Sequence, residues 1–271
     1  LALLAVGSGE IEMSLDFARM LTETAHGKKL IPAAHAALYN PDFAGFEVDV
    51  EPWTPRGWDG WFHPSAHSVW TIRQLYLYLT APDLLTQERM PMTGVLAVTA
   101  GKFWHRFFQL LWLKTGDLVA DEVPIEDAET NRRGHADGQL PDGDGLEIKS
   151  INEYQIHKIT DEAGLKEKKY DYWAQTQDYL DCTGWAAMRY FIIYPGYPFP
   201  MSEFVVPADK NYQATRRGQY LQAIELALAH PNAKWLEDRM QTDLAACCVP
   251  ASPQAAKCPA RLACPVGRYG L

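Results

Sequence analysis

The order of periodicities in this chain predicts an α/β fold, with a small central mixed β-sheet flanked by helices. Three short β-prone segments follow one another between residues 119 and 151, broken only by turn residues. Apolar residues recur at helical spacing on both sides of them. A further β-rich run, Met188 to Tyr194, follows a helical stretch and adds to the strands available to the sheet.

Residues 10 to 25 are predicted helical from the spacing of Met13, Phe17, Met20 and Leu21. From 40 to 68 the chain is rich in Pro, Gly, Trp and Asp and predicts an irregular connection. Helices are expected over Ser68–Leu79 and Leu96–Lys114. Strands are expected over Val119–Ile125, Gly134–Leu140 and Gly145–Ile151. A helix over Leu165–Leu180 leads to the run at Met188, which Ser202–Val206 can pair with across the turn Pro195–Pro198. Residues 208 to 230 make a long amphipathic helix and Ala233–Leu244 a shorter one. The tail from Cys247 is rich in Pro, Ala and Cys, and no internal repeat is present. The expected organisation is an N-terminal helix and irregular segment (1–68), a central domain (69–245) and a Cys/Pro-rich tail packed on it (246–271).

The chain has 271 residues, of which 47% are hydrophobic and 22% charged, so a packed core is expected and wholesale disorder is not. Its formal charge of -9 argues against a protein that holds nucleic acid by bulk positive charge. Local basic groups remain, at Arg132–Arg133, at Lys166, Lys168 and Lys169, and at Arg216–Arg217. No apolar stretch approaches the roughly 18 residues that span a bilayer. The opening Leu1–Val6 lacks a basic region and does not resemble a signal peptide, so a soluble cytoplasmic protein without a membrane partner is expected. Gly101–Lys102 lacks the Ser or Thr of a phosphate-binding loop. His63 and His67 lack the helical Glu of a zinc protease.

The chemistry-bearing segment runs Gly134-His135-Ala136-Asp137-Gly138-Gln139-Leu140, then a turn, then Leu146-Glu147-Ile148-Lys149-Ser150. A strand, a tight turn and a second strand place Asp137 and Glu147 to face each other. Strand alternation puts Glu147 and Lys149 on one face and turns Ile148 toward a core. Two carboxylates and an ammonium then converge. Carboxylates can hold Mg²⁺ or Mn²⁺ against a phosphodiester, and a lysine can orient water or offset developing charge. Upstream, His105 lies on the predicted helix. Downstream, Gln175 and Tyr179 are four apart and share a helix face. Arg73 and Tyr76 lie on a helix rich in Leu and Tyr.

The ordered set Gly-x-x-x-His (101–105), Asp137, Glu147-x-Lys149 and Gln175-x-x-x-Tyr179 resembles the PD-(D/E)XK nuclease superfamily. Within it, the pattern is similar to the RecB-like branch that includes the CRISPR-associated exonucleases and phage-borne versions. The resemblance spans residues 65 to 265 and implies a restriction-endonuclease-like core, with N-terminal helices and a Cys-containing tail. It also implies a Mg²⁺- or Mn²⁺-dependent deoxyribonuclease acting as an exonuclease. By it, His105, Asp137, Glu147 and the Ile148 carbonyl bind metal, Lys149 is the catalytic lysine, and Gln175 and Tyr179 complete the site. Glu122 matches a recurrent acidic position. The partner implied is DNA with a free end or a single strand, gripped by Arg73, Tyr76, Arg132 and Arg133, in a bacterial or phage-infected cell. Replication or recombination proteins are further expected partners. Pro141-Asp142 is a competing literal match, but it stands only five residues before Glu147, inside the turn. Other readings are a structure- or site-specific endonuclease and a catalytically silent nucleic-acid-binding module.

Five cysteines in a chain without an export signal argue against a disulfide framework. Cys182, just past a helix, is expected in the core or as a thiol. RecB-like exonucleases often hold a 4Fe-4S cluster on three C-terminal cysteines and one N-terminal cysteine, which makes Cys247, Cys248, Cys258 and Cys264 candidate ligands. Two departures stand out: Thr71 occupies the expected N-terminal cysteine position, and Ala255 that of a C-x-x-C partner of Cys258. Zinc, or thiols without a metal, are the alternatives.

Overall fold

The computed structural model describes residues 29–38, 40, 47–50, 58–85, 90–233, 258–260, 262 and 264. The run from Met188 is apolar on consecutive positions except Arg189, as a strand buried on both faces must be. It forms β4 (Ala187–Ile193), flanked by β3 (Gly145–Ser150) and β5 (Met201–Pro207). β1 (Ala120–Asp127) and β2 (Arg132–Gln139) complete a five-stranded sheet of order β1-β2-β3-β4-β5. Pairs β1/β2, β2/β3 and β4/β5 are antiparallel, whereas β3/β4 is parallel and so needs a crossover.

Helices cover both faces. On one lie α1 (Leu30–Leu38) and α4 (Met92–Thr115), where Phe108, Leu111 and Trp112 pack on Leu146, Ile148, Phe191 and Ile193. The short helices α2 (Pro64–His67) and α3 (Ile72–Thr80) precede α4. The crossover supplies α5 (Glu153–Ile156), α6 (Glu162–Lys168) and α7 (Tyr170–Thr183) on the other face. There Leu165, Trp173 and Ala174 meet Tyr190, Ile192 and Val206. α8 (Lys210–Ala229) follows β5 and packs Tyr220 and Ala223 against Phe62 and Leu75. This helix-flanked mixed sheet is the α/β, restriction-endonuclease-like architecture expected from the sequence.

Several expectations shift. The helix expected over 165–180 is two helices, broken at Lys169, whose φ of −143° and ψ of 60° leave the helical region. α1 was not anticipated, because Pro32 interrupts a short apolar run without clear periodicity. It is held at its N-terminus by the buried Glu203 of β5, which accepts from the Lys29, Leu30 and Ile31 N–H groups. Within the irregular stretch, Phe62 forms a parallel bridge to Arg132 on the side of β2 away from β1, where β3 no longer pairs. The helix expected over 10–25, and residues 234–244 of the last one, lie outside the described residues. No helix among the described residues is long and apolar enough to cross a membrane.

Candidate active site

β2 reads Arg-Arg-Gly-His-Ala-Asp-Gly-Gln, and its small residues mark where other groups come close. A Cβ on Gly134 would stand 3.1 Å from Tyr179 of α7. A Cβ on Gly138 would stand 2.6 Å from Leu118 and 2.8 Å from the Ala120 carbonyl. Tyr179 belongs to the core under α7 and Leu118 to the core under α4, so side-chain alternation is interrupted between these glycines. The interruption falls at Asp137. Opposite it, Glu122 of β1 has φ 45°, an unfavourable left-handed conformation for a residue with a side chain. On the other edge only Gly138 and Gln139 pair with β3. Instead of a backbone carbonyl, the Asp137 carboxylate reaches into the gap: its Oδ2 accepts from the Ile148 N–H at 2.6 Å.

Glu147 and Lys149 stand beside that gap on β3, and the Lys149 ammonium pairs with Glu147 Oε1. Gln175 of α7 donates to the same oxygen at 3.2 Å. His105 of α4 places Nδ1 at 3.4 Å from Asp137 Oδ1. The structure therefore brings together Asp137, Glu147, Ile148, Lys149, Gln175 and His105. Tyr179 lies one turn beyond Gln175 and packs over Gly134 in the core with Ile125, Ala136 and Leu180.

Burial sets the charges. The Glu147 carboxyl is pushed up to about 7, first by burial and further by the neighbouring Asp137, against the pull of Lys149. Burial also pushes Asp137 up, but His105, Lys149 and the Ile148 N–H outweigh it and hold this carboxyl below its ordinary range. Burial pulls Lys149 down, yet Glu147 and Asp137 hold it well above the usual lysine range, so it remains a cation.

Glu147 Oε2 is buried and has no hydrogen-bond partner. An orphaned carboxylate oxygen in a nearly closed site is costly unless something else binds it. Among the described residues no three His, Cys, Asp or Glu side chains are gathered at metal-ligating spacing. The protein thus offers two carboxylates, one imidazole and main-chain carbonyls, but no ready-made cage. That donor set fits a hard divalent cation that keeps several waters, as Mg²⁺ does.

One supporting residue was missed in the sequence. Gln109 of α4, buried, donates from Nε2 both to the Asp137 carbonyl at 2.8 Å and to Glu122 Oε1 at 2.9 Å. A single amide thereby ties together the two irregular residues of β1 and β2. Its signal was a lone amide inside the apolar run Phe107-Phe108-Gln109-Leu110-Leu111-Trp112.

Three of the four expected DNA contacts are corrected by burial. Arg73 and Tyr76 face inward on α3, with Arg73 Nη1 3.6 Å from Cys264 Sγ and the Tyr76 hydroxyl donating to the His230 carbonyl. Arg132 is fully buried and committed to Asp127, Asp178 and Asp181. None of the three can meet a phosphate. Arg133 points the other way, partly exposed, paired with Asp59 at 2.9 Å and lying over the Trp61 ring. Of the other basic residues, Arg216 is buried and donates to the His67 and Trp70 carbonyls, and Arg217 pairs with Asp127, Glu129 and Asp181.

Two of the four expected tail cysteines fall among the described residues. Cys258 and Cys264 approach α3, with Gln74 Nε2 3.5 Å from Cys258 Sγ, while Cys247 and Cys248 lie outside the described residues. Thr71 caps α3 in a reciprocal capping box with Gln74. Cys258 and Cys264 by themselves do not make a four-thiolate set. Cys182 is mostly buried, its thiol pushed up to about 12 by burial, so it is unreactive near neutrality.

No family model and no curated protein matches the chain. Among solved structures, it is similar to an alkaline exonuclease (LHK-Exo) from Laribacter hongkongensis, with 15% identity, a TM-score of 0.48, and 67% of this chain and 93% of that one covered. The same enzyme in complex with dAMP gives 17% identity and a TM-score of 0.45 over 67% and 93% of the two chains. A structure described as SSO0001 gives 13% identity and a TM-score of 0.38 over 94% of this chain and 98% of that chain.

Proposed function

We propose that this protein is a divalent-metal-dependent nuclease that hydrolyses DNA phosphodiesters and works as an exonuclease. The observation that carries the reading is the orphaned Glu147 Oε2, buried beside Asp137 and within reach of a lysine that stays charged. Asp137 and Glu147 would hold Mg²⁺ or Mn²⁺ from the two sides of the β2/β3 gap, with His105 and the Ile148 carbonyl as further donors. When bound, the ion supplies Lewis-acid polarisation of the phosphate and lowers the pKa of water.

The chain's own residues do the rest. Lys149 is held protonated, so it acts as a hydrogen-bond donor and a fixed positive charge rather than as a base. The Lys149 ammonium, paired with Glu147 in this structure, would donate to a phosphate oxygen or to the attacking water when Glu147 serves as a metal ligand. Gln175 keeps the Glu147 carboxylate in one orientation, and the Ile148 N–H does the same for Asp137. Gln109 braces the strand that carries Asp137.

Digestion of end-labelled linear DNA and of a covalently closed circle, with Mn²⁺ or with EDTA, tests the reading. Label release from the linear substrate in Mn²⁺ alone, an intact circle, and loss of cutting in Asp137→Ala, Glu147→Ala and Lys149→Ala with circular dichroism retained are expected. A cut circle replaces the exonuclease with an endonuclease. Full activity in Glu147→Ala removes the mechanism.

A further inference from the structure

The three lysines that read as one basic cluster in the sequence go to three places. Lys168 pairs with Glu167 at the surface. Lys166 lies 3.9 Å from the centre of the Trp173 ring. Lys169, at the break between α6 and α7, places Nζ 5.2 Å from the centre of the Tyr172 ring. The same ring carries the Lys149 ammonium at 5.0 Å, so the two ammoniums stand within about 10 Å of each other.

Their surroundings differ. Lys149 is answered by Glu147. Lys169 is half-buried, and among the described residues no carboxylate comes within ion-pair distance of it. Two cations held on one aromatic ring are a poor arrangement for stability, since like charges repel in a partly desolvated place. They suit a ligand with two negative charges at a similar spacing, and a nucleic-acid strand presents neighbouring phosphates in that way. The helix break itself serves this placement, because a continuous helix over 165–180 would keep Lys169 on the regular helical path rather than where its nonhelical backbone sets it.

We propose, resting on the nuclease reading above, that Lys169 grips the backbone phosphate next to the scissile one. Tyr172 acts as the rigid spacer between it and Lys149. The site then reads a stretch of strand with at least two phosphates rather than an isolated phosphodiester. Lys169 is a binding residue in this scheme, and Lys149 retains the chemical role.

The test compares wild type, Lys169→Met and Lys169→Arg in Mn²⁺ on an oligonucleotide, on bis(p-nitrophenyl) phosphate, and on two oligonucleotides in which a neutral methylphosphonate replaces the phosphate on one or the other side of the cleaved link. Lys169→Met is expected to raise KM for the oligonucleotide about tenfold with a smaller effect on kcat, and to lower the preference for oligonucleotide over the small diester by the same factor. Lys169→Arg is expected to restore both. One methylphosphonate substrate should cost wild type about tenfold and cost Lys169→Met nothing further. The salt dependence of oligonucleotide binding should lose about one unit of slope in Lys169→Met. An unchanged oligonucleotide KM, or equal losses on both substrates, overturns the proposal while leaving the nuclease reading in place. Should wild type cleave neither substrate, the nuclease reading fails on its own. The affinity for a fluorescent single-stranded oligonucleotide in EDTA, weakened in Lys169→Met or equal to wild type, then decides Lys169 separately.

Discussion

Two charged clusters draw residues from both β2 and α7, the second by way of β3, and they are finished to different degrees. At one end of β2, Arg132 bonds Thr130, Asp127, Asp178 and Asp181, Arg217 adds a second guanidinium, and the Tyr220 hydroxyl completes Asp178 at 2.8 Å. None of these groups leaves a buried polar side-chain atom without a partner. Five residues along the strand, the Asp137–Glu147–Lys149 cluster leaves Glu147 Oε2 with none. A closed network of buried charges works as a strut, because every desolvation cost is answered within it. An open one marks a place where something else completes the bonding. The helix that carries Asp178 and Asp181 into the strut also carries Gln175 into the open site, so the strut fixes the register in which Gln175 meets Glu147.

Breaking the strut gives the largest expected effect. Arg132→Met strands the buried Asp178 without its ion-pair partner and leaves Asp181 with Arg217 alone, and is expected to cost about 3–5 kcal/mol of stability, read as a lower denaturant midpoint at unchanged slope. A shift under 1 kcal/mol makes the network incidental. Gln109→Leu sharpens the comparison from the open side. It removes the brace on Asp137 and is expected to lower divalent-cation affinity and cleavage by about 10–100-fold with little change in stability. Equal loss of stability and activity reduces Gln109 to a packing residue.

The smallest effect is a pH slope. Because the folded Glu147 carboxyl is pushed up to about 7, above its ordinary 4.5, the native state holds a proton that the unfolded chain has already released between these values. Without divalent cation, this group makes stability fall as pH rises through that window. In EDTA, Glu147→Gln should therefore gain a few degrees in Tm on wild type between pH 5 and pH 8. A constant difference across that range places the Glu147 pKa elsewhere.

Much of the core was legible in the sequence because strand and turn signals between 119 and 151 are strong. Strands expected at Val119–Ile125, Gly134–Leu140 and Gly145–Ile151 form at Ala120–Asp127, Arg132–Gln139 and Gly145–Ser150. The convergence of Asp137, Glu147 and Lys149 followed from period-two alternation and a tight turn. The means of convergence did not. The interruption at Asp137 depends on Glu122 taking a left-handed φ, a tertiary outcome that no local pattern announces. The adjacent Arg132 and Arg133 looked like one basic patch, yet neighbours on a strand face opposite ways, and that rule alone could have separated them. Arg73 and Tyr76, three apart on a helix, share a face, and that face is buried. Lys169 was hidden by the helical pattern that runs through it.

The central claim is that the cluster at Asp137, Glu147 and Lys149 is a cation site whose last ligands come from outside the chain. Calorimetric titration of Mn²⁺ into wild type and Glu147→Gln at pH 8 tests it most directly. Saturable uptake by wild type, weakened at least tenfold in Glu147→Gln, is the predicted result. Identical heats in the two proteins, or none in either, contradict it.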